Sequence, residues 1–274
     1  MHSAPTATGW DPRQYLRHSG HRTRPFHDLL ARVLEPPRGP ARIVDLGCGP
    51  GNVTALLAER WPDAHITGLD SSAEMLAEAA AHAGPTAAGG RLDFARADLT
   101  GWVPEETYDL IVSSATFQWV PGHAELFPSW TAALAPGGTF AFTIPGNFTA
   151  PSHVLLHELC ESPRWRDRLA GLYRAGHILE PAGYLELLAG LGLTVDVWET
   201  TYMQLLSGTD PVLDWVKGTA LRPVLTALAD DASATAEFLT SYGALLREAY
   251  PVLPAEPGGT VFPFRRVFAV ARRD

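Results

Sequence analysis

Three glycines on alternate positions, Gly47, Gly49 and Gly51 in RIVDLGCGPGN, close a short apolar run and open a helical one. This feature constrains the fold more tightly than any other in the chain. A strand turning sharply through glycines into a helix is the start of a βαβ unit, and such a loop lets a ligand approach the backbone. Around it, ARIVDLG reads as a buried strand, and VTALLAERW carries helical spacing with good helix formers. HITGLD then reads as a second strand. SAEMLAEAAAHAG reads as a helix ending at Gly84, with Ser71 or Ser72 as its cap and Glu74 in its first turn. RLDFARAD, YDLIVSSA and GTFAFTIPG supply strands three to five. Strand and helix in this alternation predict a parallel sheet with right-handed crossovers and helices on both faces.

The pattern changes after Pro145. APSHVLLHELCESPRWRDRLAGLYRAG is helical but rich in arginine and aromatics, PAGYLELLAGLG is an amphipathic helix stopped by glycine, and TVDVWETTYMQ is strand-like. Residues 210–250 are mostly helical, and VFPFRRVFAVARR alternates like a strand. The expected fold is therefore α/β and Rossmann-like: a doubly wound, mostly parallel seven-stranded sheet with helical additions. Residues 1–9 read as a flexible tail and 10–274 as a single domain.

A formal net charge of -9 argues against non-specific binding to nucleic acid or to an anionic membrane. No apolar run approaches the roughly 20 residues that a membrane span requires. The first residues lack the charged-then-apolar pattern of a signal peptide, and two cysteines, Cys48 and Cys160, make no disulfide framework. A cytoplasmic protein without a nucleic-acid or membrane partner is expected; oligomeric state is not legible.

Three ligands compete for the glycine loop. A phosphate-cradling P-loop requires a Gly-Lys-Ser/Thr ending that is missing here. A dinucleotide fingerprint requires G-x-G-x-x-G, yet the third glycine falls one position early and Asn52 stands where it should be. Pro50 also removes one backbone N–H from the loop. What remains is D-x-G-x-G-x-G, with the Asp45 carboxylate at the strand end, suited to a ligand bearing a cationic amino group. Asp70 ends the second strand, where an acid accepts both hydroxyls of a ribose. Asp98 ends the third, where it can accept from an adenine amino group while the Leu99 backbone reads the ring edge. Asp70 alone does not separate a nicotinamide cofactor from S-adenosylmethionine; the three carboxylates with the loop favour S-adenosylmethionine.

DLGCGPGN, GLDSS, ARADLTGW and SSATFQWV together resemble the successive motifs of class I S-adenosylmethionine-dependent methyltransferases. TGWDPRQYLRHSGHRTRP, FQWVPGHAELFP, VDVWETTY, DWVKGTALRP and FAVARR narrow the resemblance to trans-aconitate methyltransferases, over residues 10–273. The resemblance implies a carboxyl O-methyltransferase that forms a methyl ester on a small polycarboxylic acid and releases S-adenosylhomocysteine. It implies that Asp45, Gly47, Gly49 and Gly51, with Asn52, hold the methionine portion, that Asp70 with Ser71 holds the ribose, and that Asp98 and Leu99 hold the adenine. Ser114 to Trp119 then line the space near the methyl group, with Gln118 and Trp119 as its wall. Residues 40–146 would form the cofactor-binding core, and helical segments from 10–30, 151–180 and 208–255 a substrate cap.

A carboxylate acceptor is already ionised at neutral pH, so no general base is expected. The carboxylates that are not methylated need partners, and the planar fork of arginine suits them. Candidates are Arg22, Arg24, Arg174, His177, Arg222, Arg265 and Arg266, with Tyr15, Tyr202 and Trp215 as walls. Arg24, Arg222 and Arg266 lead because they lie in the segments that carry the narrower resemblance. His153 and His157 are spaced i, i+4 but lack a third ligand in register, and His18, His21 and His27 lie in a polar segment, so no metal is expected. Cys48 reads as a buried inert thiol. The alternatives are an O- or N-methyltransferase of secondary metabolism, a nicotinamide-dependent oxidoreductase, and a non-catalytic cofactor-binding protein.

Overall fold

The computed structural model describes residues 19–36, 39–172, 178–254 and 258–274. The tail expected at 1–9, and the candidates Tyr15, Arg174 and His177, lie outside these residues, as does much of the 10–30 segment. The first described element is α1 (Ser19–Leu30).

β1 (Arg42–Leu46) buries every residue from Ile43 to Leu46, the continuous pattern of a strand covered on both faces. It lies between β2 (His65–Asp70) and β5 (Tyr108–Ser114), parallel to both. β4 (Arg91–Arg96) continues the parallel array beyond β2, and β6 (Leu134–Pro145) continues it beyond β5. α2 (Asn52–Arg60), α3 (Ala73–Ala79) and α4 (His123–Ala132) make the connections. β8 (Thr260–Arg272) runs antiparallel to β6, and β7 (Thr194–Leu206) lies beyond it at the sheet edge.

Among the described residues the sheet has eight strands, in the order β3-β4-β2-β1-β5-β6-β8-β7, where about seven were expected. The additional one is β3 (Gly84–Pro85), two residues paired antiparallel with Leu92 and Arg91 of β4. For the same reason the helix expected to run to Gly84 stops at Ala79 and continues as a 3-10 turn over Ala80–His82. A proline at 85 disfavours helical backbone at 84, and the chain pairs with β4 instead.

Contacts group the described residues into two compact units. The first takes the described residues of Ser19–Pro145, His177–Thr200 and Arg266–Asp274. It includes α7 (Pro181–Gly190), which buries Tyr184 and Leu188, one helical turn apart. Its core is strongly aromatic: Phe117, Phe127, Trp130, Phe140, Phe142 and Tyr184 are all buried in one cluster. The second takes the described residues of Gly146–Gly176 and Thr201–Arg265. It holds α5 (Pro151–Glu161), α6 (Arg166–Leu169), α8 (Pro211–Lys217), α9 (Arg222–Ala227) and α10 (Ala232–Ala249). α10 buries Ala234, Phe238, Tyr242 and Leu246, each four residues from the last, into a core shared with Trp165, Leu221, Val224 and Phe262. The helices expected as additions over 151–180 and 208–255 therefore carry a hydrophobic core of their own. No helix among the described residues is long and apolar enough to cross a membrane.

Candidate active site

β4, β2, β1 and β5 are neighbours in the sheet, and their carboxyl ends bring most of the expected cofactor residues to one edge. Open α/β sheets bind their ligands at this edge. The loop after β1 is tied down first. The Gly47 and Cys48 N–H groups both donate to the Leu69 carbonyl, at 2.7 and 2.9 Å, which fixes the loop beside the end of β2. Gly47 has φ 78°, and a Cβ there would lie 2.1 Å from Thr116 Cγ2. Thr116 in turn donates through Oγ1 to the Gly47 carbonyl at 3.1 Å, so the end of β5 closes on the loop only over a bare backbone. Gly51, at φ 80°, caps α2, with Asn52 as the first helical residue; a Cβ on Gly51 would meet Phe94 Cζ at 2.9 Å. Beside Gly49 nothing lies within 4 Å of where a Cβ would project, so this side of the loop is open.

Asp45 is fully buried. Thr54 Oγ1, on the first turns of α2, donates to its Oδ2 at 2.7 Å, while its Oδ1 is buried without a hydrogen-bond partner among the described residues. Burial, with a smaller contribution from the Asp70 charge, pushes the Asp45 carboxyl up to about 7; the Thr54 hydrogen bond offsets part of this. A buried, unpartnered carboxylate oxygen calls for a cationic donor. Asp70, at the end of β2, is oriented by two backbone donors, Gly49 N–H to Oδ2 at 2.9 Å and Ser72 N–H to Oδ1 at 2.8 Å. A carboxylate accepts about four hydrogen bonds, so lone pairs remain for a diol. Ser71 is exposed, and Ser72 caps α3 by accepting from the Met75 N–H.

Asp98 lies two residues past β4, exposed, its Oδ1 accepting from both the N–H and the hydroxyl of Thr100. That turn fixes the next residue, Leu99, which is buried. At the end of β5, Ser113 donates to the Leu46 carbonyl at 2.7 Å and locks the two strand ends together. Ser114 is half-buried, and Ala115 follows in the left-handed region at φ 57°, uncommon for a residue with a Cβ. Gln118 donates through Nε2 to the Ala115 carbonyl at 2.5 Å, and Trp119 is 44% exposed.

The substrate candidates distribute over both units. Arg24, exposed on α1, and Arg266, buried on β8, belong to the first. Tyr202, Trp215 and Arg222 belong to the second. Tyr202 is buried, and Trp215 packs in the core against Phe262 and Phe264, with ring centroids 5.8 and 5.3 Å apart. Arg222 is the half-buried first residue of α9, and the Arg265 side chain lies along Gly146. The Arg22 and His21 side chains lie outside the described residues. His153 is buried against the Ser152 hydroxyl at 3.1 Å and His157 is exposed. Among the described residues no group of three or more acidic, histidine or cysteine side chains is placed to hold a metal ion. Cys48 is buried, and burial pushes its thiol pKa far up, which keeps it protonated and inert.

Sequence reasoning missed Thr54, and placed Thr116 only within the Ser114–Trp119 stretch, not as the hydroxyl that closes on Gly47. Each role depends on a residue 9 or 69 positions away, which no local pattern marks.

The glycine loop, the buried acid behind it and the acids on the next two strands are the features expected of an S-adenosylmethionine-dependent methyltransferase. The family profile described as a methyltransferase domain matches residues 43–138. A solved S-adenosylmethionine-dependent methyltransferase from Mesorhizobium loti shares the fold, with a TM-score of 0.50 at 24% identity, covering 93% of this chain and 99% of that one. The trans-aconitate 2-methyltransferase of Streptomyces avermitilis is 66% identical over 97% of both chains. That of Streptomyces coelicolor is 62% identical over 98% of this chain and 88% of the relative. The chain belongs to the trans-aconitate 2-methyltransferase family.

Proposed function

We propose that the protein transfers the methyl group of S-adenosylmethionine to one carboxylate of trans-aconitate, yielding a methyl ester and S-adenosylhomocysteine. One observation carries the reading: the 66% identity spans 97% of the chain, including the helical unit and the final strand, well beyond the 43–138 segment common to methyltransferase domains. The site chemistry agrees with it. The unpartnered Asp45 oxygen suits the cofactor's ammonium group, the oriented Asp70 carboxylate its ribose, and the Asp98–Leu99 turn its adenine. The bound cofactor supplies a methyl group activated on a sulfonium.

The chain's own part is binding and orientation. The acceptor carboxylate, with a reference pKa near 4, needs no base to make it a nucleophile. Holding its oxygen in line is worth about 7–11 kcal/mol. Gln118 and Trp119 form the wall on the β5 side. Nε2 of Gln118 has two N–H donors and spends one on Ala115, leaving one for an acceptor oxygen. Arg24, Arg222 and Arg266 are the candidates for the remaining carboxylates. The reading requires no metal. The two free cysteines fit a reducing, cytoplasmic setting.

The test is methyl transfer from labelled S-adenosylmethionine to a panel of small di- and tricarboxylic acids, followed by mild alkali. Label on trans-aconitate, released as methanol, is the expected result. Alkali-stable label on other compounds would retain the cofactor and discard the carboxyl acceptor.

A further inference from the structure

The turn that carries Gln118 and Trp119 has two faces. Phe117, at its start, is buried and packs among Trp130, Phe142 and Phe127 with ring centroids 5.3, 5.4 and 5.6 Å away. Val120, at its end, is also buried, while Trp119 between them is largely exposed. Three residues on, His123 opens α4 and turns back beneath the turn. Its ring is buried and stacks on Phe117 at 5.8 Å with an interplanar angle of 14°. Its Nε2 lies 2.8 Å from the Tyr184 hydroxyl, itself buried on α7. The His123 backbone N–H also donates to the Val120 carbonyl, at 3.2 Å.

A neutral imidazole and a phenol each carry both a donor and an acceptor, so one donates to the other across this contact. Burial lowers the His123 pKa and raises that of Tyr184, so both remain neutral and the hydrogen bond is kept near pH 7.

Packing alone does not call for this polar pair. Phenylalanine at 184 and an apolar residue at 123 would fill the same aromatic cluster without desolvating two polar groups. What the pair adds is orientation. His123 grips the turn twice, by stacking its ring on Phe117, just before Gln118, and through its backbone N–H on the Val120 carbonyl, just after Trp119.

We propose that His123 and Tyr184 are positioning residues for methyl transfer, fixing from the buried side the turn that presents Gln118 and Trp119 to the acceptor. This rests on the reading of Gln118 and Trp119 as the acceptor wall.

Tyr184→Phe keeps the ring and removes the link. The expected result is a fall in kcat of about tenfold or more, with cofactor affinity changed less than about twofold, because a displaced wall loses alignment rather than cofactor contacts. In a Gln118→Ala background the same substitution should lower kcat no further, since both act on one element. Multiplicative losses in the double variant would overturn the proposal. A second readout does not use activity: the indole N–H resonance of Trp119, assigned with Trp119→Phe, should shift or broaden in Tyr184→Phe while those of Trp165 and Trp215 stay in place. A stationary Trp119 signal overturns the positioning role whatever the substrate. A moving one, in a protein that methylates no acid, supports the positioning role and discards the substrate instead. If Tyr184→Phe melts below the assay temperature, His123→Gln is read by the same measurements.

Discussion

At the scale of single residues, two aspartates that look alike in sequence sit in different surroundings. Asp45 is raised to about 7, chiefly by burial, against an ordinary carboxylate near 4. Between those pH values the folded, cofactor-free protein keeps a proton that the unfolded chain has released. Stability from this group therefore falls as pH rises from about 4 to 7 and is level above that. A cationic amino group placed against Asp45 favours the ionised form, so cofactor binding near pH 6.5 is expected to release up to about one proton. Calorimetry in buffers of different ionisation enthalpy counts it, and Asp45→Asn should abolish the release. Asp70 is instead held by Gly49 and Ser72 N–H groups. Asp70→Ala is expected to weaken the cofactor at least about tenfold, by removing a charge-assisted acceptor for the ribose hydroxyls. It should lower the melting temperature as well, because two backbone donors lose their partner. Unchanged cofactor affinity in calorimetry would remove Asp70 from the ribose. The position of these acids was legible, since each ends or closely follows an apolar run. Their inequality was not: it comes from Thr54, from backbone donors and from depth in the sheet, none of which has a sequence signature.

At the scale of elements, what was legible followed periodicity. The five parallel strands appear where apolar runs put them, because strands such as β1, buried on both faces, have few other compositions open to them. β3 was not legible. Two residues carry no period, and Gly84–Pro85 reads as a turn until β4 pairs with it. The start of α5 shows a second limit. Its i, i+4 histidines suggested one helix face and little else, whereas the structure separates them into a buried His153 and an exposed His157. There the Ser152 N–H donates to the Tyr250 oxygen at 3.0 Å, and the Tyr242 hydroxyl donates to the Ser152 carbonyl at 2.5 Å. Burial lowers His153 to about 4. Its unfolded value is near 6.5, so between these values the unfolded chain binds a proton that the folded protein refuses. The contribution is complete above pH 6.5 and is lost as pH falls toward 4, the loss reaching about 2 kcal/mol by pH 5. Urea midpoints at pH 5 and pH 7 should differ in the wild type, and His153→Gln should bring them closer. A gap as wide in the variant would assign the acid sensitivity elsewhere.

At the scale of the whole molecule, the change of pattern after Pro145 coincides with the end of the first unit's longest stretch. The boundaries at 200/201 and 265/266 do not show in the sequence, because each falls inside a single strand, β7 or β8, with no turn signal to mark it. Net charge is the property that belongs to no single element. At -9 the chain repels a polycarboxylate from a distance and attracts a sulfonium cofactor of net positive charge. Salt screens both effects, with a Debye length of about 30 Å at 0.01 M and about 8 Å at 0.15 M. If the field of the whole molecule governs encounter, raising ionic strength across this range should increase kcat/KM for the acid and decrease it for the cofactor, each by several-fold. An arginine that holds the acid would act over shorter distances but with the opposite sign. A kcat/KM for the acid that falls with salt would mean that this local field outweighs the net charge. Arg222→Ala and Arg266→Ala separate the two contributions. Removing the arginine that guides the acid should turn a falling salt dependence into a rising one, and leave the cofactor's dependence as it was.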